Sequence, residues 1–162
     1  VKKLALFVVA ALGCTCALAQ MPVPLLDNNA AANPAQWEIA APIMQAALEC
    51  RQQISPDDPA LRPLLSSNNA SQWELVPPNG FAVFGLPVQL ITIYIDPDGE
   101  MGASYSASVA APEAAVVKAA KINNGQRNTE IGSLMAEQGS APSLTEITCT
   151  VSGSYDPEEH HM

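Results

Sequence analysis

The sequence predicts an α+β domain: an antiparallel sheet of about 4–5 strands, two to three helices packed on one of its faces, and one disulfide. Three observations carry this prediction. A β-hairpin signature runs through residues 81–109, amphipathic helical segments lie on both sides of it, and two cysteines remain once an export signal is removed.

The N-terminus opens with Val1-Lys2-Lys3 and the apolar run LALFVVAALG, and Ala17-Leu18-Ala19 supplies a small-x-small site before Gln20. This is the pattern of a secretory signal peptide over 1–19, cleaved after Ala19. Its apolar run is shorter than the roughly 18–20 residues of a spanning helix, so an exported protein, periplasmic or secreted, without membrane insertion is expected. Gly13-Cys14 resembles a bacterial lipoprotein processing site but has Ala11 and Leu12 where other residues are preferred, and lipidation at Cys14 is the minority alternative.

Residues 20–36, rich in Pro, Asn and Ala, read as a disordered leader, 37–153 as one domain and 154–162 as an acidic, His-containing tail. A helix is expected over 41–53, with Pro42 in its first turn and Ile43, Ala47 and Cys50 on one face. Asp58 follows a Pro-rich stop and is placed to cap a second, short helix through Leu65. Trp73 to Val76 reads as a short strand.

Phe81, Phe84 and Leu86 then form the most apolar non-periodic loop of the chain, a candidate recognition loop if exposed and a core segment if not. Val88 to Ile95 is β-branched and aromatic, as strands prefer. Asp96-Pro97-Asp98-Gly99-Glu100 supplies turn chemistry for a three-residue loop with a bulge at Gly99. The returning strand alternates Met101, Ala103, Tyr105, Ala107 and Val109 with Gly102, Ser104, Ser106 and Ser108, which puts the first set inside and the serines in water. Opposing Ile95 to Met101 brings Ile93 to Ala103 and Ile91 to Tyr105, so that the apolar faces coincide.

A helix from Pro112 to Lys121 ends at Asn123-Asn124-Gly125. Residues 131–138 read as a strand, and 144–151 as another with Ile147, Cys149 and Val151 on its buried face. Cys50 and Cys149 therefore both point inward, and in an oxidising compartment they pair. No Cys-x-x-Cys marks a redox site.

Charge and missing chemistry narrow the function classes. The chain has 7 Lys and Arg against 16 Asp and Glu, a formal charge of −9 that becomes −11 when Lys2 and Lys3 leave with the signal. Such a surface repels nucleic acid and anionic headgroups. The two histidines, His160 and His161, lie in the tail, so the domain offers no His as a general base, and no glycine loop cradles phosphate. Asp96, Asp98 and Glu100 are accounted for as a turn, being too short a run for a calcium loop. His-His-Met beside Glu158 and Glu159 reads as a solvated tail, so no cofactor and no metal are expected.

The segments PLL, NNA and QWE at 24–38 recur at 63–74 with unequal gaps, too few copies for a repeat architecture. The reading is a non-enzymatic binding protein, of inhibitor or immunity type, with a protein partner. The alternatives are a carboxylate-based cell-wall hydrolase, for example through Glu74 and Asp96, or a structural envelope component without a soluble partner.

Overall fold

The computed structural model describes residues 33–65 and 71–153. The expected signal peptide with Cys14, most of the expected leader and the tail lie outside the described residues.

Helix α1 (Pro34–Leu48) begins seven residues before the expected start. Asn33 caps it by accepting from the Ala35 N–H at 3.1 Å, and Pro34 stands at the first turn, where its missing N–H is no loss. The end of the presumed leader is thus helical, and Trp37 is buried at 2% exposure. Pro42 sits inside the helix and not at its start. It removes the bond to the Glu38 carbonyl, and both residues are solvent-exposed.

The helix ends in a Schellman motif. The Arg51 N–H donates to the Ala46 carbonyl and the Cys50 N–H to the Ala47 carbonyl, while Cys50 takes a left-handed φ of 60°. The expected short helix after Asp58 is a series of turns: Asp58 Oδ1 accepts from the Ala60 N–H, and Leu61 and Leu65 are buried, but no regular helix forms.

The sheet is antiparallel with seven strands, more than expected. They are β1 (Gln72–Leu75), β2 (Ala82–Val83), β3 (Leu86–Ile95), β4 (Ala103–Val109), β5 (Gln126–Asn128), β6 (Ser133–Gln138) and β7 (Thr145–Val151). Their order is β1-β3-β4-β7-β6-β5, with β2 paired to β3. Helix α2 (Glu113–Ala120) connects β4 to β5 and ends in a second Schellman motif, with Lys121 left-handed. β5 arises from a tight turn at Asn124-Gly125, both at positive φ, that folds Asn123 onto Gln126.

The β3–β4 hairpin forms, but two residues out of the expected register: Ile95 opposes Ala103, Ile93 opposes Tyr105 and Ile91 opposes Ala107. A shift of two preserves which residues face the core, so burial does not distinguish the two registers. The turn decides. Asp96 N–H donates to the Gly102 carbonyl, the Asp96 carboxylate accepts from the Met101 N–H at 2.9 Å, and the chain bends over a longer loop than a three-residue one. Met101, expected inside, is 76% exposed at its tip. Gly102, at φ 86°, lies so close to the Val151 carbonyl that no Cβ fits there.

Register lines up two apolar rows across the sheet. One runs Trp73, Ile93, Tyr105, Cys149, Leu134, and the next Leu75, Ile91, Ala107, Ile147, Ala136. Both helices pack against β7. Trp37, Ala40, Met44, Ala47 and Leu48 of α1 and Val116 and Ala120 of α2 complete the core. The Cys50–Cys149 disulfide ties the end of α1 to the middle of the sheet, with Cα atoms 5.2 Å apart. The Tyr105 hydroxyl accepts from the Ile54 N–H at 3.2 Å and fastens the chain just beyond it. The two QWE segments adopt different structures, Trp37 on a helix and Trp73 on a strand, which removes the duplication reading.

Candidate functional site: an open polar sheet face

The alternation that buries one side of each strand leaves the other side uncovered. Register arranges it in rows. The first reads Gln72, Tyr94, Ser104, Thr150, Ser133, Asn128; the second reads Glu74, Thr92, Ser106, Thr148, Met135, Gln126. A shorter third row holds Leu90, Ser108, Glu146 and Glu137. None of these residues is buried. The predicted serine row of β4 is therefore the centre of a wider surface, continued by threonines on both flanking strands. Ser106 Oγ and Thr148 Oγ1 hydrogen-bond across strands at 2.8 Å, which fixes two hydroxyls at the centre of the face.

Electrostatically the face has one sign. It carries Glu74, Glu137 and Glu146 and no Lys or Arg. Glu137 and Glu146 are direct cross-strand partners, both exposed. Like charges in that position repel.

The candidate recognition loop lies elsewhere and is differently employed. Phe81 is 8% exposed and packs edge-to-face on Trp37, ring centroids 5.6 Å apart; it is a core residue. Phe84 and Leu86 are half-buried. Phe84 and Gly85 form the two-residue turn between β2 and β3, and both have positive φ, as a type I′ turn requires. A bulky residue in that conformation is strained.

Two groups hold it. Glu49 accepts from the Phe84 N–H at 3.0 Å, and the Arg127 guanidinium stacks on the ring. Arg127 also donates to the Glu49 carbonyl at 3.2 Å and to the Ala120 carbonyl, one at the C-terminus of each helix. A cation there complements both helix dipoles. Sequence reasoning did not single out Arg127; its signal is an arginine inside a short strand whose position faces the helices.

The buried carboxylate of Glu49 is fully committed. Burial pushes its pKa up, but hydrogen bonds from the Phe84 N–H, Gln45 and Arg51, with the Arg51 charge, outweigh this and hold it below its ordinary 4.5. Burial raises Tyr105 above 10.0 despite its bond from Ile54. Both groups serve packing.

A shallow groove of about 520 Å³ lies on the helix side, between α1 and residues 78–82. Pro34, Pro42, Pro78 and Phe81 line it, and among the described residues Glu38 is the one ionisable side chain in its wall. Paired-carboxylate hydrolysis needs two such groups. The pair weighed from sequence does not occupy it: Glu74 lies on the open sheet face, and Asp96 is bonded within the hairpin turn. Among the described residues no group of three or more His, Cys, Asp or Glu is placed to hold a metal, and no helix is long and apolar enough to cross a membrane. Compared with known proteins, the chain matches no family model, no curated protein and no solved structure.

Proposed function

We propose that this is an exported, non-enzymatic protein that binds another protein through the open face of its sheet. The observation that carries the reading is the face itself: three registered rows, unburied and made of hydroxyl, amide and carboxyl side chains except for Met135 and Leu90, on a backbone backed by a core and a disulfide. Rigid elements position contact groups better than loops do. The surface also spans six strands, an extent that suits a macromolecule more than a small ligand, which favours concave sites. The disulfide is compatible with an extracytoplasmic location.

The test is a cross-linked pull-down from the envelope and medium of the native host. The bait is the exported protein beside a variant carrying Ser106→Arg and Thr148→Arg, each checked for folding by circular dichroism. The expected result is one protein recovered stoichiometrically with the first bait and lost with the second. Recovery of nothing with either, or equal recovery with both, overturns the reading, and release of sugars from cell-wall glycan by the purified protein would replace it with the hydrolase.

A further inference from the structure

Strand β1 is one edge of the sheet: it pairs with β3, and among the described residues no strand lies on its other side. The Ile95 N–H donates to the Ser71 carbonyl, so Ser71, Trp73 and Leu75 turn their backbone groups toward β3. Antiparallel alternation then leaves the N–H and C=O of Gln72 and Glu74 pointing outward, an open row of donors and acceptors. Edges are commonly blunted by a lysine, a proline or a bulge, and β1 contains none of these. Its side chains are also incompletely covered. Trp73, in the middle of the edge, is half-buried, and its indole N–H has no acceptor among the described residues. Val76, just past the end of the strand, is 51% exposed.

We infer that β1 pairs with β1 of a second copy, antiparallel about a two-fold axis through Trp73, so that the two sheets become one. The strand is self-complementary in that register. Gln72 of each copy opposes Glu74 of the other, and both pairs exchange backbone hydrogen bonds through their outward groups. On the open face this sets each carboxylate beside an amide that donates to it. On the core face the two Trp73 rings meet at a non-hydrogen-bonded position, where opposed side chains come closest and aromatic pairs stabilise. The other two-fold registers are worse. An axis through Glu74 opposes like charges, and axes through Gln72 or Leu75 overlap the strands at their ends only. The backbone groups accept any extended segment; the side-chain match selects the chain's own strand. The contact uses the β1 edge of both copies and closes there, as a two-fold interface does. With the axis perpendicular to the sheet, both open polar faces lie on one side, so the dimer presents that surface twice.

Sedimentation equilibrium of the exported protein, disulfide intact, tests this from about 1 μM to about 1 mM, since the dimer fraction follows concentration. The expected result is a reversible monomer–dimer equilibrium, with a far-UV exciton couplet from paired indoles that fades on dilution. Glu74→Pro is expected to weaken dimerisation by about tenfold or more, because the N–H it removes faces outward, where an edge strand tolerates proline. Two substitutions at an exposed side chain read the register without touching the backbone. Gln72→Glu opposes like charges on both sides of the axis and is expected to weaken dimerisation by about tenfold, and Gln72→Lys to strengthen it by about threefold. The same two changes at Asn128, on the opposite edge of the sheet, alter net charge equally and are expected to leave the equilibrium nearly as in the parent. A monomer throughout the range, an equilibrium that Glu74→Pro leaves unchanged, or equal responses at Gln72 and Asn128 overturns the inference. A monomer whose pulled-down partner is lost with Glu74→Pro also overturns it and gives the edge to a foreign strand. The Ser106→Arg, Thr148→Arg bait reads the open face and not this edge, so either reading can fail alone.

Discussion

The Arg127 guanidinium lies 5.3 Å from the centroid of the Phe84 ring and at the same time donates to the carbonyls of Glu49 and Ala120. One side chain thus closes the ends of both helices and covers a strained turn. Arg127→Lys keeps the charge but has no planar fork to reach two carbonyls and stack. Arg127→Ala is expected to lose about 2–3 kcal/mol in urea unfolding, and Arg127→Lys to recover less than half of it. Full recovery by lysine would show that charge alone matters here.

Phe84 at φ 52° sets strain against contact. Asparagine tolerates that conformation, so Phe84→Asn relieves roughly 1 kcal/mol of backbone strain while losing ring packing and the Arg127 stack. Phe84→Val loses the same contacts and adds a β-branched side chain at positive φ. The expected order of stability is wild type at or above Asn, with Val lower than Asn by about 1 kcal/mol or more. Chemical denaturation of the three proteins checks it, and Val equal to Asn would mean the turn has rearranged.

The disulfide closes a loop of 99 residues. Replacing both cysteines with alanine should remove about 4–5 kcal/mol in the chain-entropy account. Because Cys50 holds a left-handed position, Cys50→Gly with Cys149→Ala should be the more stable cysteine-free form, by roughly 0.5–1 kcal/mol. Paired denaturation curves without reductant decide between them.

Stability should fall at both ends of the pH range, from identifiable groups. Glu49 has its folded pKa below the ordinary 4.5, so its contribution is present above that value and is lost as pH falls through the folded pKa. Tyr105 has its folded pKa above 10.0, so its contribution is present below that value and is lost as pH rises through the folded pKa. In melting curves against pH, Glu49→Gln should flatten the acid limb and Tyr105→Phe the alkaline one. An unaltered limb in either variant would assign it to other groups.

Much of this architecture was written in local patterns. The Ile91, Ile93, Tyr105 and Ala107 faces, the inward Cys149 and the terminus of α2 near Asn123 follow from periods of 2 and 3.6 and from turn chemistry. The misses share a cause. The hairpin register depends on which of two equally apolar pairings the Asp96 carboxylate favours. The start of α1 depends on a home for Trp37 against Phe81, and the role of Arg127 depends on two helix ends meeting. Each is settled by groups distant in sequence or by a single side-chain bond. The serine row was legible as an outer face, but its width was not, because β7, the neighbour of β4 on the side away from the hairpin, follows it only after α2, β5 and β6.

The position of β7 sets the order in which the fold can be made. It is the last strand in the described chain, yet it lies between β4 and β6 and carries the disulfide's second sulfur. Until β7 is available to pair, β1–β3–β4 and β6–β5 are two separate half-sheets with no ladder joining them, each with an unpaired edge. A chain interrupted before Thr145 cannot oxidise to its native thiol pairing. Assembly is therefore completed by insertion of a central strand, and the native disulfide can form only after Cys149 has been made, however early Cys50 appears.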